Sequence, residues 1–391
     1  MEKPPKRKPM YSQIKDYILA QIEEKTWGSN HRLPSENELA KQFDVSNITV
    51  KNALAQLVES GHIYRIQGKG SFVAGDRPGE PILYEAYASG AAVSRPKPLV
   101  AFLMPRLNSR HTAALLSSIE SELARNGLHL LFRKTEDSPE LEKQILREMI
   151  ELGVKGLIIF PVDNESYSEQ LMRLTLNHFP HVLVDRYMRG IETNCVHSDN
   201  IGGAHTAASH LIELGHKHIG FISTPNTSTS SIEDRILGYE KALKEHYLPI
   251  DLRLQKFDIV TDSISSILDT GIVGDELKQQ VKSYIMANPQ MTAIFAVNAA
   301  LGVAVMEAAS ELGLSIPRDL SVLFFDNDNL RFSSFPPTYI CQPEVQIGRE
   351  AVRLLMSMMA DPDHSGRQKL ALPTKLVLGA STGPCRDNRD R

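Results

Sequence analysis

The chain has 391 residues, of which 42 % are apolar and 23 % charged, values of a folded protein with two or three domains. No run nears the ~18 uninterrupted apolar residues that cross a bilayer, residues 1–8 are charged rather than a secretory signal, and Cys195, Cys341 and Cys385 are too scattered for a disulfide framework or zinc cluster. The expectation is a cytoplasmic protein with no membrane association, metal or cofactor. Net charge is −4, but residues 1–78 hold 12 Lys/Arg against 9 Asp/Glu, while the remainder holds 31 against 38. A slightly basic head on an acidic body points to an anionic partner for the head alone.

Residues 10–26 place Ile14, Ile18 and Ile22 four apart, the apolar face of a first helix. In Leu33-Pro34-Ser35-Glu36-Asn37-Glu38-Leu39-Ala40, Ser35 and Glu38 form a capping-box pattern opening a second helix that ends near Phe43. Asp44-Val45-Ser46 supplies a turn, and Ser46 caps a third helix over 47–60 whose apolar face is Val50, Leu54, Leu57 and Val58. Two short helices joined this way predict a helix-turn-helix, whose second helix can enter the major groove. Residues 61–73 then predict a β-hairpin with a tip at Gly68-Lys69-Gly70, glycines that let a backbone approach phosphate or a minor groove.

Residues 77–97 lack any sustained period and have a linker's composition. Beyond them, short apolar runs at 99–104, 128–132, 156–160, 181–184, 218–222, 292–297 and 320–325 alternate with helical patterns such as 113–126, 139–152, 201–214 and 301–312. Gly127, Gly153, Gly215 and Gly313 stand where helix C-caps belong. Strands without polar alternation are buried on both faces, so doubly wound, mostly parallel α/β sheets are expected. The length divides them into two lobes. Domains are placed at 1–76, 98–383 and a tail at 384–391; no internal repeat is visible.

Residues 10–74 resemble the winged helix-turn-helix of the gluconate-repressor (GntR) family, through LPSENELA, VSNITVKNAL and the Gln-Gly-Lys-Gly-Ser-Phe-Val wing. The resemblance implies contacts to double-stranded operator DNA from Ser35, Asn47, Thr49, Lys51, Gln67, Gly68 and Lys69. That family often has Arg where this chain has Asn37, Asn47 and Lys51. Replacing an Arg fork by Asn removes bidentate guanine reading and offers bidentate adenine reading, so a relatively A·T-rich operator is expected.

The body resembles the effector domain of the lactose-repressor family, itself similar to periplasmic sugar-binding proteins: a two-lobed, type I periplasmic-binding-protein-like fold. The motifs are Val184-Asp185-Arg186, the segments 197–204 and 210–221, Arg235-Ile236-Leu237-Gly238-Tyr239, and 316–326. The combined head and body are similar to arabinose repressors of the AraR type. By resemblance, Arg186, Arg235, Asn298, Asp326 and Gln342 match ligand-contacting positions. Phe160, at a strand end, is a candidate stacking surface, and Arg110 and His111 are candidates from the first βα loop. Independently, sugars need planar polar forks and an aromatic platform, and open α/β sheets bind ligands at strand C-termini. The family usually reads Asn-Asp where this chain has Asn298-Ala299, which points away from arabinose towards another pentose, a hexose or a derivative. Asp185 and Asp199 have helix capping or a lobe-crossing pairing as their alternative, Asp326 a hinge cap, and Arg235 a plain surface position.

No catalytic signature appears: no His-Glu-x-x-His, Gly-x-Ser-x-Gly or phosphate loop, and His210, His216 and His218 are placed as capping, solvated residues at a helix end. The expectation is a non-enzymatic, ligand-responsive transcriptional regulator, a homodimer that represses carbohydrate-utilisation genes until a sugar releases it. A regulator answering to a non-sugar metabolite, or one that activates, is the alternative. Candidate dimer faces are the helices near 113–126 and 275–287.

Overall fold

The computed structural model describes residues 9–66, 69–74, 97–162, 169–225, 229–259, 261–327, 336–361 and 366–385. The chain divides into two compact units, Met1–Pro96 and Lys97–Arg391.

The first unit holds α1 (Met10–Glu23), α2 (Glu36–Phe43), α3 (Asn47–Glu59), β1 (Ile63–Ile66) and β2 (Gly70–Val73). Its small core gathers Ile14 and Ile18 of α1, Leu39 of α2, Val50, Ala53, Leu54 and Leu57 of α3, and Ile63 and Val73 of the hairpin. Ile22 and Val58 are only half-buried at its margin. The capping box forms as the sequence predicts: the Glu38 amide donates to Ser35 Oγ at 3.3 Å, and the Ser35 amide to Glu38 Oε2 at 2.7 Å. Asp44 takes a left-handed conformation (φ 50°) and breaks the chain between α2 and α3, and Ser46 accepts from the Thr49 amide at 3.4 Å. The turn between the helices is therefore specified by local chemistry. β1 and β2 pair antiparallel, Ile63 opposite Val73 and Ile66 opposite Gly70.

The second unit contains β3 (Leu99–Met104), α4 (Arg110–Arg125), β4 (His129–Lys134), α5 (Pro139–Glu151), β5 (Gly156–Ile159), α6 (Glu169–Leu176), β6 (His181–Val184) and β7 (Cys195–Ser198). It continues through α7 (Asn200–Glu213), β8 (Ile219–Ile222), α8 (Ser230–Glu245), β9 (Gln255–Lys256), α9 (Thr261–Thr270), α10 (Asp275–Ala287), β10 (Ala293–Ala296) and α11 (Ala299–Glu311). Last come β11 (Ser321–Phe325), β12 (Thr338–Cys341), α12 (Glu344–Ala360), β13 (Lys369–Leu372) and β14 (Lys375–Val377). Two six-stranded sheets result, ordered β13-β7-β6-β5-β3-β4 and β14-β12-β11-β10-β8-β9. All pairings in them are parallel except β12–β14.

Strand for strand the two orders are the same, although no repeat is visible in the sequence. Both reverse direction where the first strand of a lobe meets its third, at β3/β5 and at β8/β10. In doubly wound sheets the crevice opens there, outside the strand C-termini. The chain passes between the sheets three times, after β7, after β12 and after β13. Ser198 Oγ donates to Gln342 Oε1 at 2.6 Å, and the Asp199 amide to the Leu372 carbonyl at 2.7 Å, so the three crossings are laced together. His216, expected to be solvated, is instead buried: its ring bonds Thr292 Oγ1 at 2.9 Å and Ser321 Oγ at 3.1 Å, because the helix end it follows packs beneath the second sheet. No helix among the described residues is long and apolar enough to cross a membrane.

Candidate functional site

On the first unit, α3 buries Val50, Ala53, Leu54 and Leu57 and exposes Asn47, Ile48, Lys51, Asn52 and Ala55. The spacing of these exposed residues is that of one helical stripe, and it carries no carboxylate until Glu59 at the far end. Asn47 Nδ2 donates to Asn37 Oδ1 at 3.0 Å, which fixes the amide at the start of the helix. Lys51 lies 3.9 Å from Glu36, which also pairs with Arg65 of β1. Thr49, half-buried, bonds Ser46 Oγ at 3.0 Å. Ser35 serves the capping box through its oxygen, and Lys69 is exposed at the hairpin tip. Gln67 and Gly68 lie outside the described residues.

On the second unit, a cleft of about 370 Å³ opens between the strand C-termini of the two sheets. Phe160, Arg186, Arg235, Asn298, Asp326 and Gln342, drawn from β5 onward to β12, all line it. The fold also brings in residues that the sequence left open or unassigned, Asp185 and His111 above all. Arg110, beside His111, is exposed and does not line the cleft. Asp199 accepts from the Gly202 amide at 2.8 Å and caps α7, its alternative reading.

The floor is an ionic network. His111 Nε2 bonds Asp185 Oδ1 at 2.9 Å, and Nδ1 bonds Glu344 Oε1 at 3.3 Å. Burial lowers the imidazole's proton affinity, but these two carboxylates outweigh it and hold the ring well above its ordinary pKa of 6.5. Burial likewise raises Asp185, yet His111 pulls it down to about 2. Asp326 is raised by burial, with His111, Arg235 and Gln342 opposing. Ring nitrogens of His111 and oxygens of Asp326 and Glu344 lie within 4.8 Å of one another, a spacing that would suit a cation. Both ring nitrogens already face carboxylates, so the ring is an imidazolium rather than a ligand with a lone pair.

Asp185 and Asp326 occupy equivalent strand ends in the two lobes, and both are left-handed, with φ of 66° and 68°. That conformation turns the chain sharply beyond the strand and is uncommon outside glycine. Each lobe also lays an arginine over a ring: Arg186 sits 4.8 Å from Phe160, and Arg235 sits 3.8 Å from Phe325. Arg235 is buried and donates to Asn200 Oδ1 at 2.9 Å and the Val297 carbonyl at 2.7 Å, so it is no surface residue. Asn298 caps α11 by accepting from the Leu301 amide at 3.0 Å. Gln342 donates to both oxygens of Asp326, at 2.9 and 3.0 Å, tying the site to a lobe crossing. Planar forks, carboxylates and an amide converging at an interlobe crevice form a surface suited to a small molecule with many hydroxyls.

Residues 10–73 match the family of bacterial regulatory proteins known as gntR, and residues 208–382 match the periplasmic binding protein-like domain. The chain is a DNA-binding transcriptional regulator with a gntR-type head and a periplasmic-binding-protein-like body. It is 28 % identical over 356 residues to the arabinose metabolism transcriptional repressor of Geobacillus stearothermophilus, covering 90 % of this chain and 91 % of that protein. The repressor of the same name from Halalkalibacterium halodurans is 26 % identical, over 97 % of this chain and 98 % of that one. Among solved structures, a transcriptional regulator CelR–cellobiose complex superposes with a TM-score of 0.63 at 21 % identity, covering 89 % of this chain and all of that one. A LacI family regulator from Enterococcus faecium with bound ribose gives 0.60 at 22 % identity, over 74 % of this chain and all of that one. At these identities the two structures establish a shared fold.

Proposed function

We propose that the protein represses carbohydrate-utilisation genes and leaves its operator when a sugar fills the interlobe cleft. The observation carrying this reading is the convergence of Arg186, Arg235, Asn298, Asp326 and Gln342, with Asp185, at the strand C-termini of both lobes. Arg186 and Asp185 would hold hydroxyls from one lobe, Arg235, Asn298 and Asp326 from the other, with Phe160 at the apolar edge. Gln342 would report occupancy to the crossings through Ser198. A ligand bridging two lobes favours whichever lobe arrangement lets it touch both, and a tenfold change in operator occupancy needs a differential affinity worth ~1.4 kcal/mol. The full-length relatives are repressors of arabinose metabolism, which supports repression and a sugar signal.

In the head, α3 enters the major groove with Asn47, Thr49 and Lys51, while Ser35 and the wing residues Gln67, Gly68 and Lys69 hold the backbone. Two heads of a homodimer occupy half-sites of a pseudo-palindrome, as two-fold symmetry requires. A regulator of this kind works in the cytoplasm, beside the chromosome. The test combines a thermal-shift screen of pentoses, hexoses and their phosphates with anisotropy of a labelled duplex from the gene's own upstream region. A sugar that raises the melting temperature and releases the duplex supports the reading. Release by none of them, with the duplex held, ends the sugar assignment.

A further inference from the structure

Ile48 is the anomaly of the head. It is 70 % exposed, whereas Val50, Leu54 and Leu57 of the same helix are buried to within 1 %. It adds nothing to the core, and as a β-branched residue in the first turn it helps the helix little. Its flanks are Asn47 on one side and Lys51 one turn further on, all on the face of α3 that holds no carboxylate until Glu59.

The Asn37–Asn47 hydrogen bond gives the anomaly a chemistry. With one Nδ2 hydrogen donated to Asn37 at 3.0 Å, Asn47 keeps its second N–H and its Oδ1, the donor and acceptor that adenine N7 and N6 require. The residue after it presents bare methyl groups at the same helix end. Thymine is the one base with a methyl on its major-groove edge, and apolar side chains recognise it by covering that methyl.

We propose that Ile48 is a specificity-determining residue that seats on the C5-methyl of a thymine, with Asn37 a positioning residue that aims the Asn47 amide at a neighbouring adenine. This rests on the proposed DNA-reading role of α3 and narrows it: Asn47 and Ile48 select an A·T-containing step in each half-site, and Lys51 adds charge without sequence.

The experiment starts from a duplex selected out of a randomised pool by the full-length protein. Each thymine in the enriched half-site is then replaced by uracil, which removes one methyl and nothing else. Uracil at one defined position per half-site is expected to weaken binding about three- to fivefold, the worth of one covered methyl. Ile48→Ala is expected to lose a similar factor on the thymine duplex and to become indifferent to that replacement. Asn37→Ala, leaving Ile48 in place, is expected to keep the uracil effect while relaxing the preference for the neighbouring adenine. Binding insensitive to every uracil replacement, or Ile48→Ala still sensitive to it, overturns the inference and leaves the DNA-binding reading standing. Enrichment of no sequence at all from the pool overturns the DNA-reading role itself.

Discussion

The two units use opposite designs. In the head, Ser35, Asn47, Lys51 and Lys69, which would touch DNA, lie exposed within 35 positions of one another, on elements closed by local capping: Ser35 with Glu38, and Ser46 with Thr49. In the body, the residues that would touch a sugar are buried or half-buried, and His111, Asp185, Arg235 and Gln342 come from elements spread over more than 200 positions. A groove-reader needs a rigid outward face, because its partner is large and brings its own shape. A small polyol must instead be surrounded, so its site needs desolvated charges held by other charges, and these only a tertiary fold can assemble. Damage should therefore be local and mild in the head, but severe in the body.

The sharpest break of that contrast is Asp185→Asn. It leaves the protonated, buried His111 with Glu344 alone and is expected to cost about 3 kcal/mol of body stability. The only tryptophan, Trp27, packs against the head core, so its fluorescence follows the head while far-UV circular dichroism is dominated by the body. The dichroism transition should move to lower urea and the Trp27 transition should not. Joint movement would mean that the units are not energetically separate. In the wild type this carboxylate, held near about 2 rather than 3.8, contributes stability above pH 3.8 that fades as pH falls towards 2.

Arg235→Ala comes next. Losing a charged fork stacked on Phe325 should weaken effector binding about a hundredfold, near 3 kcal/mol, with operator affinity within about twofold of wild type. Retained induction would place the effector elsewhere. Glu142→Gln sharpens the comparison through pH. Burial pushes the Glu142 carboxyl up to about 7, so the folded body holds a proton that the unfolded chain releases from pH 4.5 upward. Stability from this group is complete below 4.5 and lost as pH rises through 7; the variant should flatten that slope, by about 2 kcal/mol in urea unfolding between pH 5 and 8.

Effects in the head are smaller. Ser46→Ala removes the cap of α3 and should cost about 1 kcal/mol, read by Trp27 fluorescence. Lys51→Ala, exposed and only loosely paired with Glu36, should leave stability unchanged and lower the salt slope of operator binding by about one unit. An unchanged slope would remove Lys51 from the phosphate contacts.

Much of the molecule was legible from its residues because the relevant signals are short-range. The capping box at Ser35, the turn at Asp44-Val45-Ser46 and the apolar runs that became β3, β5, β6, β10 and β11 are all encoded within a few positions. So were Arg186 and Asp326, since Asp326 directly follows such a run and Arg186 stands one residue beyond another. His111 and Asp185 were harder: a histidine in a first helical turn and an aspartate at a strand end have ordinary local roles, as Asp199 in fact does. The signal for His111 was only its place in the first βα loop; for Asp185 it was the Asp at equivalent ends of β6 and β11, and that equivalence is invisible until the two sheets show one strand order. Sequence by itself determined which segments become helices or strands and which residues start and stop them, because periodicity and caps act over one or two turns. Only the tertiary structure decided that three lobe crossings bring carboxylates, guanidinium groups and one imidazolium to a common floor, because the charge state of each depends on neighbours distant along the chain.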